Sequence, residues 1–546
     1  MQLLVRGEGL GTAFQEHTMA LFTKSKQRVI RLIYVLGLSV SALHAQTLTV
    51  ALQDEPTAID PHYQSFTPNV QLAATLFDPL IRKNSQSVAV PALAQSWQVE
   101  GNIWTFHLRP NVQFSDGSPF TAADVVYSYE RVFKIRNSPS SYALYLNQVK
   151  SVVAVDEHTV QIETDGPAPV LLANLAMIPI LSQRLAQREG LTELGQAPLD
   201  HRKTLAGTGP YQLDHWHKGT ELVLTRNPYY WADEPPWSQV IFRPIPDGHK
   251  RVEALVTGVV DIIEAPPVAD IARLEKMPSI FIQKMPSLRL LYVSLNQGPD
   301  LPEGMKNTNG ANPLSDQRVR KALSLAIDRE ALVQTVMQGI AQAAGNLLSY
   351  PNFGTSERFA LAPLPDLDQA RELLKQAGYP RGFTLSLGAP VGRYRNDEQL
   401  AQAIAQMWAQ IGVEVQVELF TPALFFKQRD QYAFSSYLSG WSAVTGEMSN
   451  PLIALTMTPD PALGQGITNW SHYSNPRLDE LIRQAMRTLD EDQRAMVLEE
   501  AAAEVLTDYG ILPILFELST WAMKQSIRYD GRVDQFTLPQ DVYPNH

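Results

Sequence analysis

The chain contains no cysteine. Disulfides, thiolate metal sites and a cysteine nucleophile are therefore excluded, as is a lipid-bearing cysteine at a processing site. A basic block is also missing from its body, where 45 Lys and Arg stand against 56 Asp and Glu for a net charge of −11. Nucleic acid is thereby excluded as a partner, because phosphate binding needs a clustered cationic footprint. No apolar run reaches the roughly 20 residues that span a bilayer. HExxH, GxSxG and Walker-type glycine loops are absent as well. Acidic pairs such as Asp54-Glu55 and Glu499-Glu500 sit in polar or helical contexts and read as solvated faces. No catalytic residue is assigned, and no cofactor.

What is present is an ordinary globular composition, 45% hydrophobic and 18% charged over 546 residues, long enough for more than one domain. Residues 1–45 read as an N-terminal extension and signal peptide. Lys24, Lys26, Arg28 and Arg31 form its basic region, and Leu32 to Leu43 its apolar region. Cleavage is expected near Ala45-Gln46, with Met19 as the natural start of the signal. The apolar run is too short for an anchor. A secreted, cysteine-free chain fits the Gram-negative periplasm, where it would be soluble.

Patterning alternates between strand and helix. In "NIWTFHLRPNVQF", Trp104, Phe106 and Leu108 alternate with Thr105, His107 and Arg109, a half-buried strand. Thr121 and Asp124 form a capping box for a helix whose apolar face is Val125, Val126, Tyr129, Val132 and Phe133. Further helices start at Asp328, Asp366, Asn396, Asn475 and Asp490, and Gly339, Gly378 and Gly412 supply stops. Alternation from about 290 to 510 predicts an α/β domain with a helix-covered sheet, and 86–203 a smaller α/β unit.

"GTGPY" (207–211) lacks a strand–loop–helix setting and a phosphate-binding lysine, and reads as a turn. "DHWHKG" places His215 and His217 on one face of a strand. A third ligand is not apparent nearby, so the pair reads as a solvated hairpin end and no metal site is assigned. "YLSGWSAVTGEMSN" (437–450) has the composition of a binding loop: a glycine, a tryptophan, small hydroxyl residues and one carboxylate, Glu447.

Several segments resemble the peptide/nickel family (family 5) of periplasmic solute-binding proteins, the receptors of ATP-driven importers. They include "PALAQSWQVEGNIWTFHLRPNVQFSDGSPFTAADVVYSYERV" (91–132), "GTGPYQLDHWHKGTELVLTRNPYYW" (207–231), "DQRVRKALSLAIDREALVQTVMQG" (316–339) and "YSNPRLDELIRQA" (473–485), in family order. The resemblance implies a three-domain, two-lobed α/β fold of the class II, cluster C type, with a hinge and an interlobe cleft. Domain I would comprise 46–85, 204–290 and 510–546, domain II 86–203 and domain III 291–509. Crossovers near Leu295-Asn296 and Ile511-Pro513 would form the hinge.

The same resemblance points to a site. Peptide-binding relatives carry an aspartate after "GW" and two further residues, and it pairs with the ligand's α-amine. Here Gly440-Trp441 is followed by Ser442, Ala443 and Val444, so that anchor is missing. Glu447 is the nearest carboxylate to replace it. Arg393 is expected to hold a ligand carboxylate, in preference to Arg395, which lies nearer the helix start. Tyr394 and Trp441 would supply flat walls, and Ser442 and Thr445 hydroxyls. The resulting expectation is a monomeric receptor that delivers a small peptide or peptide-like solute to inner-membrane permease subunits and their ATPases. A non-peptide ligand (nickel chelate, haem, opine or sugar conjugate) remains open, as does a chaperone role. A hydrolase lacks any nucleophile–base constellation in the sequence.

Overall fold

The computed structural model describes residues 47–135, 138–139, 141–189, 206–460, 463 and 465–545. The leader read in 1–45, its cleavage point and residues 190–203 of the smaller α/β unit lie outside the described residues. Two units divide the chain, 1–47 and 48–546, and the sheets and cores are those of the second.

Local sequence rules account for many of the elements. Alternation in 103–108 produces a strand with Trp104, Phe106 and Leu108 buried. Thr121 caps the helix Ala122–Val132 with the full reciprocal box, its backbone N–H donating to Asp124 at 2.8 Å. Asp328, Asp366, Asn475 and Asp490 likewise accept from first-turn N–H groups of the helices they precede. Phe133 departs from expectation. It is 59% exposed, because the helix ends at Val132 and the chain turns before the ring reaches the core. Asn396 departs too. It adopts φ 51° and sends its amide to the Val336 carbonyl at 2.7 Å, so it does not cap the helix Asp397–Ala409.

The strands of the N-terminal half are β1 (Thr47–Leu52), β2 (Ile81–Lys83), β3 (Ala89–Pro91), β4 (Ala94–Glu100), β5 (Ile103–Leu108), β6 (Val149–Asp156), β7 (Thr159–Thr164), β8 (Tyr211–His217) and β9 (Glu221–Arg226). They continue as β10 (Gln239–Pro244), β11 (Ile262–Glu264), β12 (Ile280–Leu295), β13 (Ala341–Ala343), β14 (Thr384–Pro390), β15 (Glu414–Phe420), β16 (Ser436–Ser442) and β17 (Leu512–Lys524). An 11-stranded mixed sheet runs β15-β14-β16-β12-β17-β11-β1-β10-β9-β8, with β13 beside β17. A separate four-stranded antiparallel sheet, β4-β5-β7-β6, lies within 94–164.

β12 and β17 are the long central pair. Their antiparallel register slips between Pro286 and Leu290 and again between Leu291 and Tyr292. Bulges of this kind bend the strands locally and increase their twist. The expected crossovers at 295–296 and 511–513 fall at the ends of this pair.

The buried side chains gather into separate clusters. One gathers Leu323, Leu387, Ile404 and Trp408 on the helix-covered face of β14, and the Trp408 indole donates to the Leu323 carbonyl at 2.9 Å. Another gathers Phe106, Val125, Tyr129 and Ile162 over the four-stranded sheet. Removing a buried ring such as Trp408 would cost about 3–5 kcal/mol. The glycines of "GTGPY" are packing devices. A Cβ at Gly207 or Gly209 would meet the Leu76 backbone at 2.0 or 2.5 Å.

Candidate ligand cleft

Two cavities of about 700 and 470 Å³ adjoin each other, sharing Ser65, Thr67, Arg289 and Gln535. The larger lies against β12, β17 and the loop before the helix Asp397–Ala409. The smaller lies between β2, the end of β16 and the C-terminal segment 529–543.

The loop 392–395 owes its shape to Asp397. This buried carboxylate accepts the N–H groups of Gly392, Arg393 and Tyr394 at 3.1, 2.8 and 2.9 Å. The helix N-terminus favours the negative charge there. Tyr394 is thereby laid against Gly440, where a Cβ would stand 2.6 Å from its ring. Arg393 points outward and is exposed, its guanidinium 5.6 Å from the Tyr394 ring.

Arg395 behaves differently. Its Nη2 donates to Thr520 at 2.9 Å, and its backbone N–H donates to the buried Glu517 carboxylate at 3.1 Å. Nη1 is buried with no protein partner. Burial pulls this guanidinium below the ordinary arginine range, against the attraction of Glu517. Arg289 approaches the other Glu517 oxygen at 3.7 Å. Two cations therefore flank one carboxylate on the floor of the larger cavity. Sequence reasoning missed Arg289 and Glu517, which belong to two strands distant in sequence whose registers bring them together.

The residues singled out from the sequence are divided between the two cavities. Ser442 and Val444 line the smaller cavity, whereas Arg393 and Tyr394 line the larger. Trp441 is half-buried, its indole donating to Asn450 at 2.8 Å. Thr445 has a buried hydroxyl oxygen without a partner. Neither Trp441 nor Thr445 lines either cavity.

Glu447 turns away from the cleft. It is 6% exposed, and both its oxygens accept from Arg494 Nη1, at 2.9 and 3.0 Å. Ser449 Oγ also donates to it, and Arg494 stacks over Phe353 at 4.3 Å. The carboxylate expected to meet a ligand amine is thus already paired with a buried arginine.

Lys83 was not foreseen. Its Nζ donates to the Val444 carbonyl, joining β2 to the binding loop. Burial pulls its ammonium down to about 8, against the pull of Asp534 and Glu447. Arg532 braces the same wall, pairing with Asp534 and Asp541 and donating to the carbonyls of Lys83 and Asn84 at 3.1 Å. In the same chamber, Asp78 accepts from Trp231 and Thr208 at 2.8 and 3.0 Å, and burial raises it to about 6.

Two adjoining cavities lined by charged, polar and aromatic side chains, in a two-lobed α/β fold, have the form of a solute receptor. The chain belongs to the bacterial extracellular solute-binding proteins of family 5, whose model for the middle region matches residues 88–460. It is 29% identical to the dipeptide-binding protein of Escherichia coli K12 over 499 residues, covering 85% of this chain and 89% of that one. It is 28% identical to the glutathione-binding protein GsiB of the same strain over 489 residues, covering 87% and 90%. Among solved structures, HbpA2 of Haemophilus parasuis superposes with a TM-score of 0.79 at 25% identity, covering 92% of this chain and 100% of that one. The fold is also shared with DppA of Helicobacter pylori in complex with the peptide STSA, at TM-score 0.72 and 24% identity, covering 91% and 98%. Among the described residues, no helix is long and apolar enough to cross a membrane.

Proposed function

We propose that this chain is the periplasmic receptor of an ATP-driven importer, and that it captures a small peptide or peptide-like solute between its lobes. Relatives that bind dipeptides and glutathione support the ligand class. The observation that carries the reading is Arg395 Nη1, buried and unpartnered in the cleft wall. Such a group costs free energy until an anion meets it, and a ligand carboxylate is the natural partner. Arg395 therefore takes the role first expected of Arg393, which remains at the rim. Tyr394 supplies an apolar wall, and Ser442 and Val444 bound the smaller chamber.

Ligand contacts made to both lobes at once favour the closed form. The closed monomer then docks on permease subunits, and no bond is broken. Native mass spectrometry of protein purified without denaturation tests this. A retained mass that fragments into amino acids is the expected result. No retained ligand, together with no thermal shift across a peptide library, would sink it.

A second reading, a non-peptide ligand such as a nickel chelate, haem, opine or sugar conjugate, is favoured by one observation. Val444 occupies the position of the amine-binding acid, and Glu447 is paired with Arg494. A retained non-peptide mass would select it. Ligand turnover would instead support a hydrolase, and binding of unfolded protein without ligand stabilisation a chaperone.

A further inference from the structure

The β8–β9 hairpin holds a group of side chains that the cleft does not use. His217 stands directly opposite Glu221 in the register, and His215, two residues earlier, opposes Val223 on the same face. Glu221 is the third ligand that the sequence did not reveal. One ligand atom from each of His215, His217 and Glu221 lies within 4.8 Å of the others. None of the three lines either cavity of the cleft.

The hydrogen bonding is what makes this arrangement unsatisfied. Asp214 Oδ2 lies 2.9 Å from His215 Nδ1, so Nδ1 carries the proton and donates. The Nε2 lone pair then faces Glu221 Oε1 at 3.8 Å. Two acceptors facing each other call for a cation between them. Arg243 reaches only the far oxygen of Glu221, at 3.8 Å. A carboxylate holding the outer nitrogen of a histidine is also the usual support of a metal-bound imidazole.

We propose that His215, His217 and Glu221 form a peripheral site for a borderline divalent cation of the zinc or nickel class. Two imidazoles and one carboxylate suit such ions, and the absence of thiolate and of further oxygen ligands disfavours soft and hard ions respectively. A tetrahedral ion needs ligand atoms roughly 3.3 Å apart. Partly exposed side chains at a hairpin end reach that spacing by small rotamer adjustments. Water completes the fourth position. Asp214 is a positioning residue that acts through His215.

Isothermal titration of the untagged, chelator-stripped full-length protein with zinc chloride tests the site. The expected result is saturable uptake of a single equivalent. His215→Ala combined with His217→Ala should abolish that uptake, and Glu221→Gln should weaken it. Asp214→Asn should weaken it by about 10–100-fold. The variants should keep the wild-type melting temperature in chelator, since these side chains lie at an exposed hairpin end. Undiminished uptake by the double histidine variant would place the ion elsewhere, the cleft included, and overturn the proposal. So would the absence of saturable uptake by the wild type.

Discussion

Lys83 donates its ammonium to the main-chain carbonyl of Val444, 361 residues further along the chain. The contact ties β2 to the loop that stands where an amine-binding acid is expected.

The charge on Lys83 is the first thing to test. Its folded pKa of about 8 lies below its ordinary value of 10.5. Between those values the unfolded chain binds a proton that the folded chain does not. Stability from this group therefore rises with pH across 8 to 10.5, at no more than about 1.4 kcal/mol per pH unit. Urea unfolding of wild type and Lys83→Met over that range should give a difference that moves in favour of the wild type. A flat difference would return Lys83 to the ordinary lysine range.

Glu447 and Arg494 are each under a tenth exposed, so removing either strands the other's charge. Glu447→Gln or Arg494→Met should destabilise by about 3–5 kcal/mol. Replacing both with apolar residues should recover much of the loss. Ligand affinity of any variant that still folds should change little, because Glu447 does not line the cleft. A selective loss of free-amine ligands over their N-acetylated forms would restore Glu447 as the amine anchor.

Two buried groups set opposing acid responses. His62 is neutral between Pro179 and Arg131, its pKa held down to about 4 by burial and then by the Arg131 charge. Between pH 6.5 and 4 the unfolded chain takes up a proton that His62 refuses, so stability falls on acidification. Asp78, raised to about 6, does the reverse, because the folded chain binds the extra proton between pH 6 and 3.8. His62→Gln should flatten the acid limb of a stability–pH curve, by an amount on the order of 3 kcal/mol at most. Asp78→Asn should steepen it. Parallel curves for all three proteins would contradict both assignments.

Arg395 and Arg393 separate cleanly by calorimetry with whatever ligand the protein retains. Losing a charge-assisted hydrogen bond costs about 1.5–3 kcal/mol, so Arg395→Met should weaken an anionic ligand by about 10–150-fold. Arg395→Lys should not rescue it fully, since a point charge does not reproduce the fork. Arg393→Met should stay within about twofold, as expected of an exposed side chain. The opposite ranking would return the role to Arg393.

Much of the local structure was legible because it is made of short-range contacts. The box at Thr121 and Asp124, the cap at Asp366 and the stripe of Leu400, Ile404 and Trp408 each involve groups a few residues apart. Where reading failed locally, a competing local bond won. Asn396 gave its amide to Val336, and the neighbouring Asp397 took over the loop N–H groups.

Family membership and the α/β nature of the chain could be read from the residues in order, since patterning, caps and stops repeat along the chain and need no partner from elsewhere. The direction of each charged side chain could not. Glu447 turns inward because Arg494 meets it from a helix 47 residues on. Arg395 turns to the cleft because β17 brings Glu517 and Thr520 beneath it. Glu221 joins the two histidines because strand register places it opposite His217. Charges act through space, over roughly 8–10 Å where solvent-exposed and with less screening where buried, so only the tertiary structure decides which of them meet.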